Sequence, residues 1–307
     1  MKRFVAILLM LLLVVSCSTS PEPEEASTAE EAAAEKPTYR IGYMICNSEQ
    51  ETLDRFLPLT AYLSQKLGVN FEAVAIDTIQ FMKEVDGLHF THSNSLLYIM
   101  MQRLKGVEIL AAEQKGSLGH LSQGVIITKS DSPIKTVADL KGKTMIFGPS
   151  LAPTGFMSQV DTLQQNGIDP EDDLAFYTIP SGSFKHEKVA YAVLFDRYDA
   201  GALPLDDIEI MAKADRIAED DFTVIGKGPA IPYCNFGVTQ KVDEDLAARF
   251  KEAILAITAD DTVNYDGEEV KILKRALVDG FIDIQDADFD IVREIAKRTN
   301  MPPYQKY

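Results

Sequence analysis

The chain predicts an α/β protein folded as two units. Three observations support this. Strand-like and helix-like segments alternate from Tyr39 onward, the mark of helices packed on a mostly parallel sheet. The alternation restarts after Leu121. The roughly 270 residues that follow the N-terminal segment also exceed what one compact core usually fills, so two domains or one large one are expected.

The elements follow in order. Tyr39–Cys46 (YRIGYMIC) reads as a buried strand, closed by the polar Asn47-Ser48-Glu49-Gln50. From about Leu53 to Leu67, apolar residues recur at helical spacing, and Gly68 suits a C-terminal cap. Val69–Ala75 is a second strand. A short helix over Thr78–Val85 and the segment Leu88–Thr91 follow. A helix then runs from the Asn94-Ser95 region to Leu104, ending at Gly106. Val107–Ala112 is a strand. Leu121–Lys129 alternates as a strand does, before the turn Ser130-Asp131-Ser132-Pro133. Thr144–Phe147 is a strand leading into the loop Gly148–Gly155 and a helix to Asn166. Ala175–Ile179, a helix over Glu187–Asp196 and the strand Tyr198–Ala202 continue the pattern. Ile231–Thr239 is a strand and Asp243–Thr258 a strongly periodic helix. Two helices, near Glu268–Val278 and Phe289–Arg298, are expected last.

Ahead of these elements stands a different kind of sequence. Lys2 and Arg3 precede the apolar run Phe4–Val15. That run is shorter than the about 20 residues a spanning helix needs, so residues 1–16 read as a secretory signal. The ending Val14-Val15-Ser16-Cys17 resembles the lipobox of bacterial lipoproteins, which implies cleavage before Cys17 and lipidation of its sulfur. An ordinary signal peptide cut nearby is the alternative. Residues 17–37 are rich in Ser, Thr, Pro, Ala and Glu, with little to bury, and are expected to form a disordered tether.

Composition bounds the function. A hydrophobic share of 46% suffices for a core. The net charge of −17 and the lack of a basic patch make nucleic acid a poor partner. Past Cys17 only Cys46 and Cys234 remain, either as a disulfide or as two thiols. No CxxC or HExxH spacing is present, so no metal or other cofactor is expected. A soft-metal or haem site from Met44, Cys46, His186 and Cys234 has no support from spacing. No GxSxG elbow or P-loop is present, so no enzyme is indicated. A Ser-His-Asp set from Ser150, His186 and Asp199 is one that any chain of this size offers.

The run Val137–Asp173 (VADLKGKTMIFGPSLAPTGFMSQVDTLQQNGIDPEDD) resembles the phosphonate/phosphite/phosphate-binding family of ABC-transporter solute receptors. Its DLKGK turn, the loop opening a helix and the GIDPE-like loop carry the likeness. Asp131–Ile134, His186-Glu187, Tyr198–Ala202 and Phe281–Glu294 extend it. The resemblance implies a two-lobed periplasmic-binding-protein fold with two hinge crossings, near Leu121–Lys129 and Ile231–Thr239. Lobe I would comprise residues 38–122 and 236–307, and lobe II residues 123–235. It also implies a monomer that captures a small polar, anionic solute and passes it to an ABC permease. The same fold reporting to a sensor kinase is the alternative, as is a non-phosphorus ligand. Either role places the protein in the cell envelope.

The candidate ligand residues follow from this resemblance. The loop Gly148–Gly155 opens a helix whose free N–H groups suit an anion. Here Ala152-Pro153-Thr154 replaces the hydroxyl-rich triplet of relatives, leaving Thr154, the Gly155 amide and Ser150; a plain helix cap is the alternative. Tyr98 stands where the family has a ligand tyrosine, and Ser95 opens the same helix or caps it. His186, Glu187 and Asp199 match polar positions of the family. His120 lies near the first hinge. Met44 ends the first strand, facing the expected cleft. His89 and His92 read as surface or loop residues, His92 near the cleft.

Overall fold

The computed structural model describes residues 36–180 and 186–306. The signal, Cys17 and nearly all of the tether lie outside them. Among the described residues, no helix is long and apolar enough to cross a membrane.

Strands β1 (Thr38–Ile45), β2 (Asn70–Asp77), β3 (Phe90–Ser93) and β4 (Glu108–Gln114) build the first sheet. The chain then crosses to β5 (Leu121–Lys129), β6 (Thr144–Ile146), β7 (Phe176–Thr178), β8 (Ala200–Pro204) and β9 (Phe222–Pro232) of a second sheet. It returns through β10 (Asn235–Val238), a hairpin of β11 (Thr262–Tyr265) and β12 (Glu268–Lys271), and β13 (Gly280–Ile282). The six-stranded sheet has the order β13-β4-β10-β3-β1-β2, and the five-stranded sheet β7-β6-β8-β5-β9.

Both sheets are mixed rather than mostly parallel. β1 pairs parallel with β2 and β3, and β6 with β7 and β8. The strands flanking the crossings run the other way: β10 is antiparallel to β3 and β4, and β5 to β8 and β9. A chain that leaves one sheet and comes back enters it reversed. The two crossings are themselves tied, because Tyr233 N–H donates to the His120 carbonyl at 3.0 Å.

Local chemistry sets the element ends. Ser48 caps the Glu49–Leu67 helix by accepting from Glu51 N–H, and Gly68 closes it at φ +71°. The cap carries the helix one turn further back than apolar periodicity indicates. Two segments differ more. Glu268–Lys271 is a strand, not the start of a helix, because Asp266-Gly267 forms a turn with φ of +52° and +82°. Asp-Gly is a strong hairpin signal. Leu205–Lys213 forms a helix that apolar spacing had not marked, and β9 begins well before Ile231.

The first lobe's core centres on aromatic pairs. Phe90 stacks on Phe250 at 4.2 Å, and Tyr43 on Phe56 at 4.5 Å. The Asp290–Arg298 helix joins the lobes: Arg298 gives Nε and Nη2 to the buried Asp161 carboxylate at 2.7 and 2.9 Å. Asn94 Nδ2 also reaches across to the Leu151 carbonyl at 3.0 Å.

Candidate functional site

A cavity of about 370 Å³ lies where strand ends of the first sheet meet the helix-opening loops of the second. The first lobe contributes Met44 and Cys46 after β1, His92 on β3, and Glu113 and Lys115 at the end of β4. The return crossing adds Tyr233 and Cys234. The second lobe contributes Pro153, Thr154, His186, Glu187, Asp207 and Arg216.

His186 stands at the head of the Glu187–Leu194 helix, and its Nδ1 lies 3.0 Å from Asp207 Oδ2. Its ring occupies the space above the Gly148–Gly155 loop. A Cβ on Gly148 would come within 2.8 Å of the ring, and one on Gly155 within 2.4 Å of Nε2. The two glycines therefore let the imidazole seat against the loop. Glu187 is held by Arg216. Thr154 is buried in the turn Pro153–Met157, within reach of Ser122 Oγ.

The opposite wall is more deeply set. His92 is 1% exposed and Glu113 3%, with Nε2 and Oε1 2.9 Å apart. Phe56 and Phe236 flank the His92 ring at 4.6 and 4.8 Å. His92 is therefore a core residue and not the loop or surface residue its sequence neighbourhood indicates. Burial raises the Glu113 carboxyl, but His92, Arg55 and Lys115 outweigh burial and hold it below the usual carboxylate range. Burial pushes both Cys46 and Cys234 thiols up, Cys234 well above its ordinary value. The two cysteines are free thiols, not a disulfide. Lys115 makes no ion pair among the described residues. Arg55 donates Nε and Nη2 to the Ala276 carbonyl at 3.1 and 2.8 Å.

Of the residues singled out in sequence, the cavity gathers Met44, Thr154, His186 and Glu187 among the ligand candidates, and also Cys46, His92 and Cys234. The others sit elsewhere. Tyr98 is 1% exposed, donates to Asp286 Oδ1 at 2.6 Å and packs on Phe289. Burial and Asp286 drive its phenol far above the ordinary range. Its side chain thus serves the contact with the C-terminal segment, not the cavity wall. Ser95 is fully buried, and Asn94 caps its helix instead by accepting from Leu97 N–H. Asp199 is exposed and accepts from the Thr144 N–H and hydroxyl, both at 2.8 Å, bracing β6. His120 contributes its carbonyl to the hinge, and Ser150 lies in a turn of the Gly148–Gly155 loop outside the cavity lining. Gly155 acts through the room it leaves for His186. The set Ser150, His186 and Asp199 is not assembled, since His186 faces Asp207.

Sequence reasoning placed His92 near the cleft but not in the core, and missed Glu113, Lys115, Arg55, Asp207 and Arg216. Glu113 and Lys115 stand at the end of β4, just before the chain crosses to β5, so a strand ending before a crossing is the signal that could have found them. Asp207 lay in the helix that apolar spacing did not reveal.

Two lobes, two tied crossings and a polar cavity between them define a receptor that holds a small solute in an interlobe cleft. Residues 41–289 match the family described as ABC transporter, phosphonate, periplasmic substrate-binding protein, and the chain belongs to it. The fold is shared with PhnD1 from Prochlorococcus marinus in complex with methylphosphonate, at 18% identity and a TM-score of 0.71 over 86% of this chain and 98% of that one. A binding-protein component of an ABC phosphonate transporter from Pseudomonas aeruginosa gives 17% identity and a TM-score of 0.70, over 86% of this chain and 87% of that one. The tetrathionate sensor histidine kinase TtrS of Salmonella typhimurium is 24% identical over 71% of this chain, which spans 39% of the kinase.

Proposed function

We propose that the protein captures a small anionic solute in the interlobe cavity and presents it to an ABC permease, performing no chemistry itself. The observation that carries this reading is the pairing of Lys115, which has no ion-pair partner among the described residues, with the helix-opening loop at Thr154 and His186 across the same cavity. A cation on one wall and N-terminal amides and an imidazole on the other suit an oxyanion. Pro153 brings no N–H, so the anion cup offers fewer donors than the loop length allows. The ligand is therefore a solute that leans on Lys115 and His186 as well as on the loop. Closure about the crossings at His120 and Tyr233 would enclose it. We place the protein in the cell envelope, held through a lipid on Cys17 after removal of residues 1–16, and acting as a monomer.

Thermal-shift and calorimetric titration with phosphate, phosphite, methylphosphonate, sulfonates, thiosulfate and tetrathionate tests this. A ligand at 100 times its dissociation constant stabilises the fold by about 2.7 kcal/mol. Thr154→Ala should then weaken binding by about 0.5–1.5 kcal/mol. No shift with any of these anions would sink the reading.

The likeness to TtrS favours a second role, in which the bound receptor reports to a kinase. Co-purification with a permease or with a kinase sensor domain, each in the presence of the ligand, separates the two.

A further inference from the structure

The buried wall of the cavity holds a cluster that solute capture leaves unused. One ligand-capable atom from each of His92, Glu113 and Cys234 lies within 4.8 Å of the other two, and all three residues are at most 3% exposed. They also line the cavity, so an ion has a path in. We propose that this cluster is a binding site for a divalent zinc-class cation, with one coordination position open to the cavity.

The donor set fits such an ion. Imidazole nitrogen, carboxylate oxygen and thiolate sulfur are the three zinc ligand types, and three protein ligands plus an open position is the arrangement of a site that also binds an exogenous group. Tetrahedral ligand atoms at zinc bond lengths lie about 3–4 Å apart. His92 Nε2 and Glu113 Oε1, at 2.9 Å, need to part only slightly. Binding expels the Cys234 thiol proton, and the His92–Glu113 hydrogen bond gives way to two metal bonds. A second observation is independent of the cluster's spacing. His92 Nδ1 is buried with no hydrogen-bond partner, and so is the Oδ1 of the adjoining Asn235. Buried polar atoms without a partner are few in native proteins, and each calls for an explanation. β3, β4 and the β9–β10 crossing hold the three ligands in one sheet, so the cluster is set by backbone pairing and not by a loop.

An ion here would give the cavity a positive charge that offsets the hydrogen-bond donors Pro153 and Ala152 do not supply. That consequence rests on the solute reading; the cation site does not. The test therefore begins without solute. Purified protein stripped with chelator is titrated with zinc(II) by calorimetry, and with cobalt(II) while the visible and near-ultraviolet spectrum is recorded. One ion should bind per chain, with a thiolate-to-cobalt charge-transfer band. Cys234→Ser should abolish that band, and both Cys234→Ser and His92→Gln should weaken zinc binding at least about tenfold. Cys46→Ser should keep the band. Circular dichroism and melting of the stripped variants check folding, and Glu113→Gln provides a second ligand variant of unchanged size. Absence of stoichiometric binding, or equal affinity and an unchanged band in Cys234→Ser, overturns the site. Anion binding to the stripped protein, measured next, stands or falls separately.

Discussion

The two walls of the cavity are built by different means. The second-lobe wall is made of a loop and helix starts: the Gly148–Gly155 loop, the helix it opens, and His186 at the head of a later helix, seated where two glycines leave room. His186 and Asp207 remain partly solvated, with side chains 20% and 27% exposed. The first-lobe wall is made of residues drawn from three strands and a crossing, and His92 and Glu113 lie inside an aromatic core. The difference teaches that one cavity can carry a wall that tolerates change and a wall on which the fold itself depends.

The largest expected effect tests the buried wall. His92→Ala leaves Glu113 as an unpaired buried carboxylate, which costs about 3–5 kcal/mol. Denaturant unfolding should show it in the midpoint. A loss below about 1 kcal/mol would mean that water reaches Glu113 and that the walls do not differ.

His186→Ala tests the other side. Stability should change by less than about 1 kcal/mol, as for a partly solvated ion pair. Anion affinity should drop by about 1.5–3 kcal/mol, the worth of a hydrogen bond to a charged group. A stability loss matching that of His92→Ala would break the contrast.

Gly155→Ala sharpens it further. The new methyl would stand 2.4 Å from His186 Nε2, so the ring must shift. Overpacking of this kind costs about 1–3 kcal/mol, and calorimetry should show weakened anion binding. Unchanged affinity would show that the seat of His186 on the loop is irrelevant to the ligand.

The smallest effect is a slope. Burial, with Asp207 beside it, holds the Asp206 carboxyl above the usual range, while Lys115 and His186 pull it back. The folded state thus binds this proton more tightly than the unfolded chain. Stability falls as pH rises from the ordinary carboxylate range through the raised value. Asp206→Asn should remove that fall, seen as a flatter melting profile between acid and neutral pH. An unaltered profile would place the charge in solvent.

Legibility in sequence follows the same division. Gly68 and Gly106 mark helix ends because caps act within one turn, whereas the Ser48 cap is hidden behind an apolar pattern that begins at Leu53. The VADLKGK…GIDPEDD run carries the family because its turns and loop are local. Asp266-Gly267 shows that a local signal can be present and still be outweighed by an apolar pattern that suggests a helix. Tyr98 and Asp199 show the opposite limit. Both occupy motif positions, yet Asp286 and Thr144, far away in sequence, decide what their side chains do.

The amino-acid sequence by itself determined the α/β class, the two-lobed fold through the family's local motifs, the family, and the helix-opening loop. Each of these rests on residues close together along the chain, where periodicity, capping and turn chemistry operate. Tertiary structure alone decided that His92, Glu113 and Cys234 meet, that Cys46 and Cys234 remain thiols, and that the crossing strands make the sheets mixed. Lateral strand order brings such residues together, and the alternation of apolar and polar residues along a strand says which face a side chain takes but not which strand will lie beside it.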